Sequence, residues 1–357
     1  MTTELIRSTS DLDAETEEYG LSDSELTELA QTEPAKPQSS NAQEKAQILD
    51  ALDPERLKWN NIDWVIFTWM VVVHAGALAA PFFFSWAGLV TCLVLHWVTC
   101  SLGICLCYHR YLAHKSMKLR QPSEFALLVA GGISGEGSPL QWAAMHRVHH
   151  QRSDMKGDPH SPFDGTFWSH IAWLFLRQKP EHRQRLYRQY VPELAERPLL
   201  RFFDRTEVVW LVACGVILLA LGGLPVLLWG MCVRMVFAYH STWFVNSATH
   251  LWGYRNYDTR DESKNLWWVA ILSYGEGWHN NHHAHPSLAP AGHRWWEIDM
   301  TWWAIKFLKA IGQAYDVKGR VPEKTNRTTT EVTEIETLPL KPSAKTGYEE
   351  PAKATVA

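Results

Sequence analysis

The chain has 357 residues, a formal net charge of −4, and an apolar middle between polar ends. The charge argues against a nucleic-acid binder, which would carry a basic face, and the length suffices for one large domain or two. Seventeen histidines and nineteen tryptophans are the compositional anomalies.

Residues 1–53 hold thirteen acidic and three basic side chains with scattered Ser, Thr and Gln. They offer too small an apolar face to offset the entropy of ordering, so the composition predicts a disordered acidic tail. The opening residues lack the basic and then apolar pattern of a signal peptide, which predicts a cytoplasmic start. Residues 320–357, rich in Thr, Glu, Lys and Pro, predict a second polar tail, leaving 54–319 as the ordered domain.

Between Trp64 and Tyr108 there is no Asp, Glu, Lys or Arg, and a turn region at Pro81 to Ser85 interrupts the run. At about 1.5 Å per residue each half can cross a hydrocarbon core of roughly 30 Å. Val208 to Tyr254 repeats the pattern, with a Gly222-Gly223-Leu224-Pro225 break and a single charge, Arg234. The expectation is an all-α integral membrane protein with four transmembrane helices in two hairpins, at about 64–83, 86–108, 208–222 and 224–245. The Arg- and Lys-rich segment between the hairpins, and both tails, should face the cytoplasm by the positive-inside rule. Trp64, Trp69 and Trp86 fit an interfacial belt, and Arg234 should face the bundle or a polar cavity. Cys92, Cys100, Cys105, Cys107, Cys214 and Cys232 lie in apolar runs without metal-finger spacing and are expected to be buried thiols.

Three short segments concentrate the histidines: His109-Arg110-Tyr111-Leu112-Ala113-His114, His146-Arg147-Val148-His149-His150, and His279-Asn280-Asn281-His282-His283. Residues at i, i+3 and i+4 share a helical face, so His146, His149 and His150 can converge on a metal, as can His279, His282 and His283. His109 and His114 are five apart and would diverge on a continuous α-helix; they grip different metals, or the helix ends between them. Asn246 and His250 share a face at the same membrane level as the first pair, because each emerges one crossing beyond its turn. Eight box histidines plus His250 are too many for one zinc site and suit two ions, although imidazole alone does not select the metal. His160 and His285 fall outside the spacing and are expected beside the ligands. His74, His96 and His240 lie in spans as packing residues. Arg183, Arg185, Tyr187 and Arg188 form a basic amphipathic stretch expected to rest on phospholipid.

At these residues the chain resembles the membrane fatty-acyl desaturases, in particular the group acting at the ninth carbon that includes stearoyl-CoA and bacterial acyl-lipid enzymes. HRYLAH, HRVHH, NSATH and HNNHH occur in that family's order, and the resemblance runs from about Trp59 to Gln313. It implies a cytoplasmic helical cap holding two iron ions, with ligands His109, His114, His146, His149, His150, His250, His279, His282 and His283, and Asn246 reaching one iron through water. It also implies a fatty-acyl substrate, dioxygen, and a narrow tunnel in which Trp142, Thr242 and Trp243 shape the chain. Glu136 stands where animal acyl-CoA enzymes carry Gln, which leaves the carrier open among CoA, a carrier protein and a glycerolipid. Neither tail has a heme-binding His-Pro-Gly-Gly segment, so the electrons are expected from a separate donor such as ferredoxin or a cytochrome b-type protein. A lipid hydroxylase or ketolase would use the same metals and dioxygen. A metal transporter would line a path at mid-bilayer, and a zinc hydrolase would need a water-activating acid at the boxes.

Overall fold

The computed structural model describes residues 38–319, with side chains from residue 42. Helix α1 (Gln38–Ala51) falls inside the segment expected to be a tail. Its Ile48 is buried, as is Leu52 just beyond it, and Leu49 lies against Gly157. Gln47 and Glu44 accept hydrogen bonds from Arg185 and Arg188 at 2.6 and 2.7 Å. This corrects the boundary at residue 53: a short apolar stripe is enough to order the segment once a partner helix supplies the other face, and average acidity concealed it. The rest of that tail and the whole of the C-terminal one lie outside the described residues.

The uncharged stretches form the long helices. Asp63 starts α2 (Trp64–Ala79) by accepting from the Val65 and Ile66 amides, both at 3.1 Å, so two of the orphan donors of the first turn are satisfied. Ser85 caps α3 (Trp86–His96) in the same way through Gly88 N, and α3 runs on as a π-helix, Trp97–Ala113. Three helical stretches are long and apolar enough to cross a membrane: Trp64–Phe83, Trp86–Ala113 and Glu207–Leu251. Val65, Leu78, Phe82 and Leu221 on these stretches are each about four-fifths exposed. Apolar surface on that scale fits a lipid environment and not a soluble monomer.

The third stretch, at 45 residues, is not straight. Helix α7 (Glu207–Leu227) contains Gly223 at φ 64°, ψ −160°, two residues before Pro225. Glycine tolerates this backbone and the proline cannot donate to the preceding turn. Beyond the break a short π-segment, Leu228–Val233, leads into α8 (Arg234–Leu251). Leu218 packs on Gly230, residues that a straight helix would hold about 18 Å apart; the chain therefore doubles back at Gly223. Arg234 is fully buried in the bundle, as expected. It donates to the carbonyls of Ile133 and Ser134 at 2.9 and 3.3 Å, just past the end of helix α4 (Gln121–Gly132).

The segment between the hairpins and the residues after α8 form a helical cap. It contains α4, α5 (Pro139–Arg152), α6 (Pro180–Tyr190), α9 (Trp267–Leu272), α10 (His279–Ala284), α11 (Met300–Ala310) and several shorter turns. An antiparallel pair of two-residue strands, β1 (Lys118–Leu119) with β2 (Ala314–Tyr315), departs from an all-α description. Gly103 lets α4 press onto the π-helix, because a Cβ there would meet the Ala130 and Gly131 backbone at 2.6 Å. Leu106, Leu128, Leu140, Val148 and Leu200 fill the core beneath this contact. All six cysteines are free thiols, four of them buried.

Candidate metal centre

Winding decides where the first histidine pair points. The His114 amide donates to the His109 carbonyl at 3.1 Å, an i to i+5 bond, so residues five apart are stacked instead of diverging as on an α-helix. Their rings are 4.8 Å apart, centroid to centroid. Both belong to a group of five with His146, His150 and His282, whose facing ring nitrogens all lie within 4.8 Å of one another. His149, His250, His279 and His283 form a second group by the same measure. The closest Nε2 approaches are His114 to His146 at 2.7 Å, His150 to His282 at 2.9 Å, His109 to His282 at 3.0 Å, and His250 to His279 at 3.1 Å.

The expected convergence of each i, i+3, i+4 trio on one metal is corrected here. His146 and His150 enter the first group while His149 enters the second; His279 and His283 enter the second while His282 enters the first. On an α-helix i+4 lies about 40° to one side of i and i+3 about 60° to the other, so a helix seated between the two groups feeds both.

Buried carboxylates hold the rings from behind. His149 Nδ1 bonds Asp158 at 2.9 Å, His250 Nδ1 bonds Asp154 at 2.8 Å, and His283 Nδ1 bonds Asp261 at 2.8 Å. Glu276 Oε2 lies 2.9 Å from His109 Nδ1. Burial alone would raise these acids, but the imidazoles hold Asp154, Asp158 and Asp261 below their ordinary range. Glu276, likewise buried, is pulled down to about 2 by Arg110 and His109. Burial and mutual proximity hold His114, His146, His150, His279 and His282 well below the usual imidazole value. Burial also takes His283 down to about 4. Burial pulls His149 down as well, but Asp158, Asp154 and Asp261 together move it upward.

Metal-binding histidines characteristically donate the second ring nitrogen to a carboxylate, which fixes the tautomer and leaves a lone pair on the first. His149 and His283 meet that condition: each gives Nδ1 to an aspartate and buries an Nε2 that has no hydrogen-bond partner in the protein. The close Nε2 pairs join imidazoles from different segments of the chain, as shared ligation of a cation requires. Nine imidazoles in groups of five and four therefore fit two metal ions, iron among those that imidazole suits. Sequence reasoning passed over Asp154, Asp158, Asp261 and Glu276 as ring holders. The available signal was their closeness to the boxes combined with the need of ligating histidines for an acid behind them.

Other histidines keep to the margins. His160 lies 4.4 Å from His149, ring to ring, with Nδ1 3.9 Å from Asp158, and His285 packs on Tyr257. His96 bonds the Tyr274 hydroxyl at 2.7 Å. His170, not singled out from sequence, bonds His240 at 2.9 Å and Ser247 at 3.0 Å, with His74 on the far side of His240 at 3.3 Å.

A chamber of about 40 Å³ lies between the two groups, lined by His109, His146, His149 and His279 with Trp142, Thr242, Asn246 and Glu276. Trp142, His146, Thr242 and Asn246 also border a cavity of about 820 Å³ running along the bundle. Glu136, Trp142, Thr242 and Trp243 all line that cavity. Glu136 accepts from Thr242 Oγ1 at 3.1 Å and from Trp142 Nε1 at 3.4 Å, and Trp243 stacks on Tyr239 at 5.3 Å. Burial pushes the Glu136 carboxyl up to about 7 against those two hydrogen bonds. Folding thus favours its protonated form, and the cost of ionising it grows between pH 4.5 and 7 before levelling off. At about 1.36 kcal/mol per pKa unit this amounts to about 3 kcal/mol at pH 8. Glu136→Gln is expected to raise the melting temperature at pH 8 and leave it unchanged at pH 4; an equal effect at both would show that ionisation is not the cause.

The arginines of α6, expected to rest on phospholipid, also find partners within the protein. Arg183 binds Asp204 at 2.8 Å, Glu207 at 3.3 Å and Ser138 at 3.0 Å, and Arg185 and Arg188 reach back to α1 as described above.

A sequence profile of the family described as fatty acid desaturase matches residues 84–317. The chain belongs to the fatty acid desaturase family. The desaturase is 43% identical over 274 residues to an sn-2 palmitoyl-lipid 9-desaturase of Nostoc sp. (strain 36), covering 76% of this chain and 96% of that one. It is 42% identical to an sn-1 stearoyl-lipid 9-desaturase of Anabaena variabilis, covering 72% and 94%. It is 44% identical to a chloroplastic palmitoyl-monogalactosyldiacylglycerol delta-7 desaturase of Arabidopsis thaliana, covering 73% and 70%. The desaturase is accordingly an oxidoreductase of fatty-acyl chains, and its apolar helices make it a membrane protein.

Proposed function

We propose that the desaturase inserts a cis double bond at the ninth carbon of a saturated acyl chain carried on a membrane lipid. A methylene pair, dioxygen, two electrons and two protons become an alkene and two waters. The supporting observation is that the small chamber, bordered by members of both histidine groups, shares Trp142, His146, Thr242 and Asn246 with the long cavity. The relatives' names supply the lipid carrier and the ninth carbon. The four helical passes cross the bilayer with the cap and both termini cytoplasmic, in keeping with the basic segment between the hairpins.

His109, His114, His146, His150 and His282 would hold one iron ion and His149, His250, His279 and His283 a second, with Asn246 approaching one of them through water; the pair would supply the dioxygen chemistry. The protein's own task is positioning, since unactivated methylenes offer no charge or acidic proton to act on. Trp142 and Trp243 form walls of the cavity beside the chamber. Glu136 ties Trp142 to Thr242, so the bend of the chain is set by side chains on two different helices. Asp154, Asp158, Asp261 and Glu276 keep the rings aimed. The electrons come from a separate carrier such as ferredoxin or a cytochrome b-type protein.

Expression in a host lacking its own desaturase, followed by lipid profiling after head-group separation, tests the reading. Chains two hydrogens lighter with the double bond at the ninth carbon are expected; chains one oxygen heavier would replace desaturation by hydroxylation. In the same assay Trp243→Ala should lower the rate or move the double bond, because a displacement of about 1 Å can cost on the order of a hundredfold. Unchanged rate and position would remove Trp243 from the mould.

A further inference from the structure

The long cavity is open on its membrane side. Val208, Val212, Val216 and Leu219 form one stripe of α7 that lines the cavity, yet each is between 49% and 63% exposed. Across from them Val65 of α2 also lines the cavity and is 81% exposed, with Trp69 one turn further along. Side chains walling a sealed tunnel cannot also face outward. These two helices are therefore the posts of a slit, and their outward faces are the apolar surfaces that fit hydrocarbon. Inward, the slit leads to Trp142, Thr242 and Asn246 beside the histidine groups.

The cap end of the slit is marked by Asp63 and Glu207, the residues at the starts of α2 and α7, and by Arg183. Arg183 is the one arginine or lysine among the described residues that line the cavity, and it is spent on Asp204 and Glu207. The rim thus carries more acid than base. The phosphates of an acyl-CoA arriving from water would meet carboxylates there, and none of the described residues lining the cavity is an unpaired arginine or lysine.

The geometry points to lateral admission: one acyl chain of a membrane glycerolipid passes sideways between α2 and α7, while its glycerol backbone and second chain stay in the leaflet. This rests on the reading of the site as an acyl-lipid desaturase and adds the route. Each methylene drawn into water costs free energy, and a slit spares the second chain entirely. An enclosed tunnel reached from the cytoplasm would require the whole lipid to leave the bilayer.

The test uses the full chain, iron-loaded and reduced, in vesicles of a saturated diacyl galactolipid. Val212→Trp and, independently on the other post, Val65→Trp are expected to lower desaturation of the vesicle lipid tenfold or more. Leu221→Trp, on the same helix but away from the cavity, should match the parent. A second readout needs no turnover: a diacyl lipid with a photoreactive diazirine midway along one chain should label cavity residues in the parent and not in Val212→Trp. Parental rates and labelling in both blocking variants would overturn the slit. So would rapid desaturation of stearoyl-CoA added from water with the vesicle lipid untouched, a result that keeps the desaturase reading. Photolabelling of the cavity that Val212→Trp blocks, in a protein that desaturates neither carrier, would support the slit and overturn the reaction.

Discussion

His283→Ala and His150→Ala are each expected to bring desaturation below a hundredth of the parent rate, and the two should differ in the iron they lose. His283 belongs to the group of four and His150 to the group of five, so the first substitution leaves three imidazoles and the second leaves four. Removing even a group that only supports a metal ligand typically costs about 10–100-fold in affinity or activity, and removing the ligand itself should exceed that. Metal analysis of purified protein should show His283→Ala falling from two irons per chain towards one, with His150→Ala retaining more. Parental iron and parental product in both variants would sink the assignment of these rings as ligands.

Arg110→Leu should be the most destabilising change outside the ligands. Arg110 is fully buried and holds Glu276 at 2.9 Å, Asp299 at 2.9 Å and the Ala289 carbonyl at 2.7 Å. Asp299 in turn caps α11 through Trp302 N at 2.8 Å, and Glu276 backs His109. The arginine thereby ties the first histidine box to the segment carrying the third. Leucine would strand two buried carboxylates, a change that costs about 3–5 kcal/mol and should lower the melting temperature by about 10 °C. The pH dependence gives a second check. Glu276 titrates at about 2 against an ordinary 4.5, so its contribution is complete above pH 4.5 and disappears as the pH falls towards 2. Without Arg110 the acid unfolding limb should move to higher pH, and an unmoved limb would show that the pairing does not govern stability.

The long helices were legible because lipid-facing helices announce themselves by what they lack: Trp64 to Tyr108 has no charge to misread. The histidines were legible because nine imidazoles at helical spacings have few other uses, and all nine come together. Their sorting was not legible. A π-helix leaves no periodic signature in a run as uniformly apolar as Trp97 to Tyr108, so the convergence of His109 and His114 could not be read from α-helical angles. The split of His146, His149 and His150 depends on where the helix sits between the ions, a tertiary fact that a shared face does not reveal. Helix α1 was hidden for a related reason: Ile48, Leu49 and Leu52 form a face only once Arg185 and Arg188 are placed opposite Gln47 and Glu44. Arg183 had its partners at Asp204 and Glu207, too far along the chain to be paired by eye.

Helices α5 and α10 each contribute to both histidine groups, so neither half of the centre can be adjusted alone. A helix turned to improve one coordination shell is turned by the same angle away from the other. Variation around this centre is therefore confined to what lies beyond the rings, in the acids that steady them and the side chains that shape the cavity.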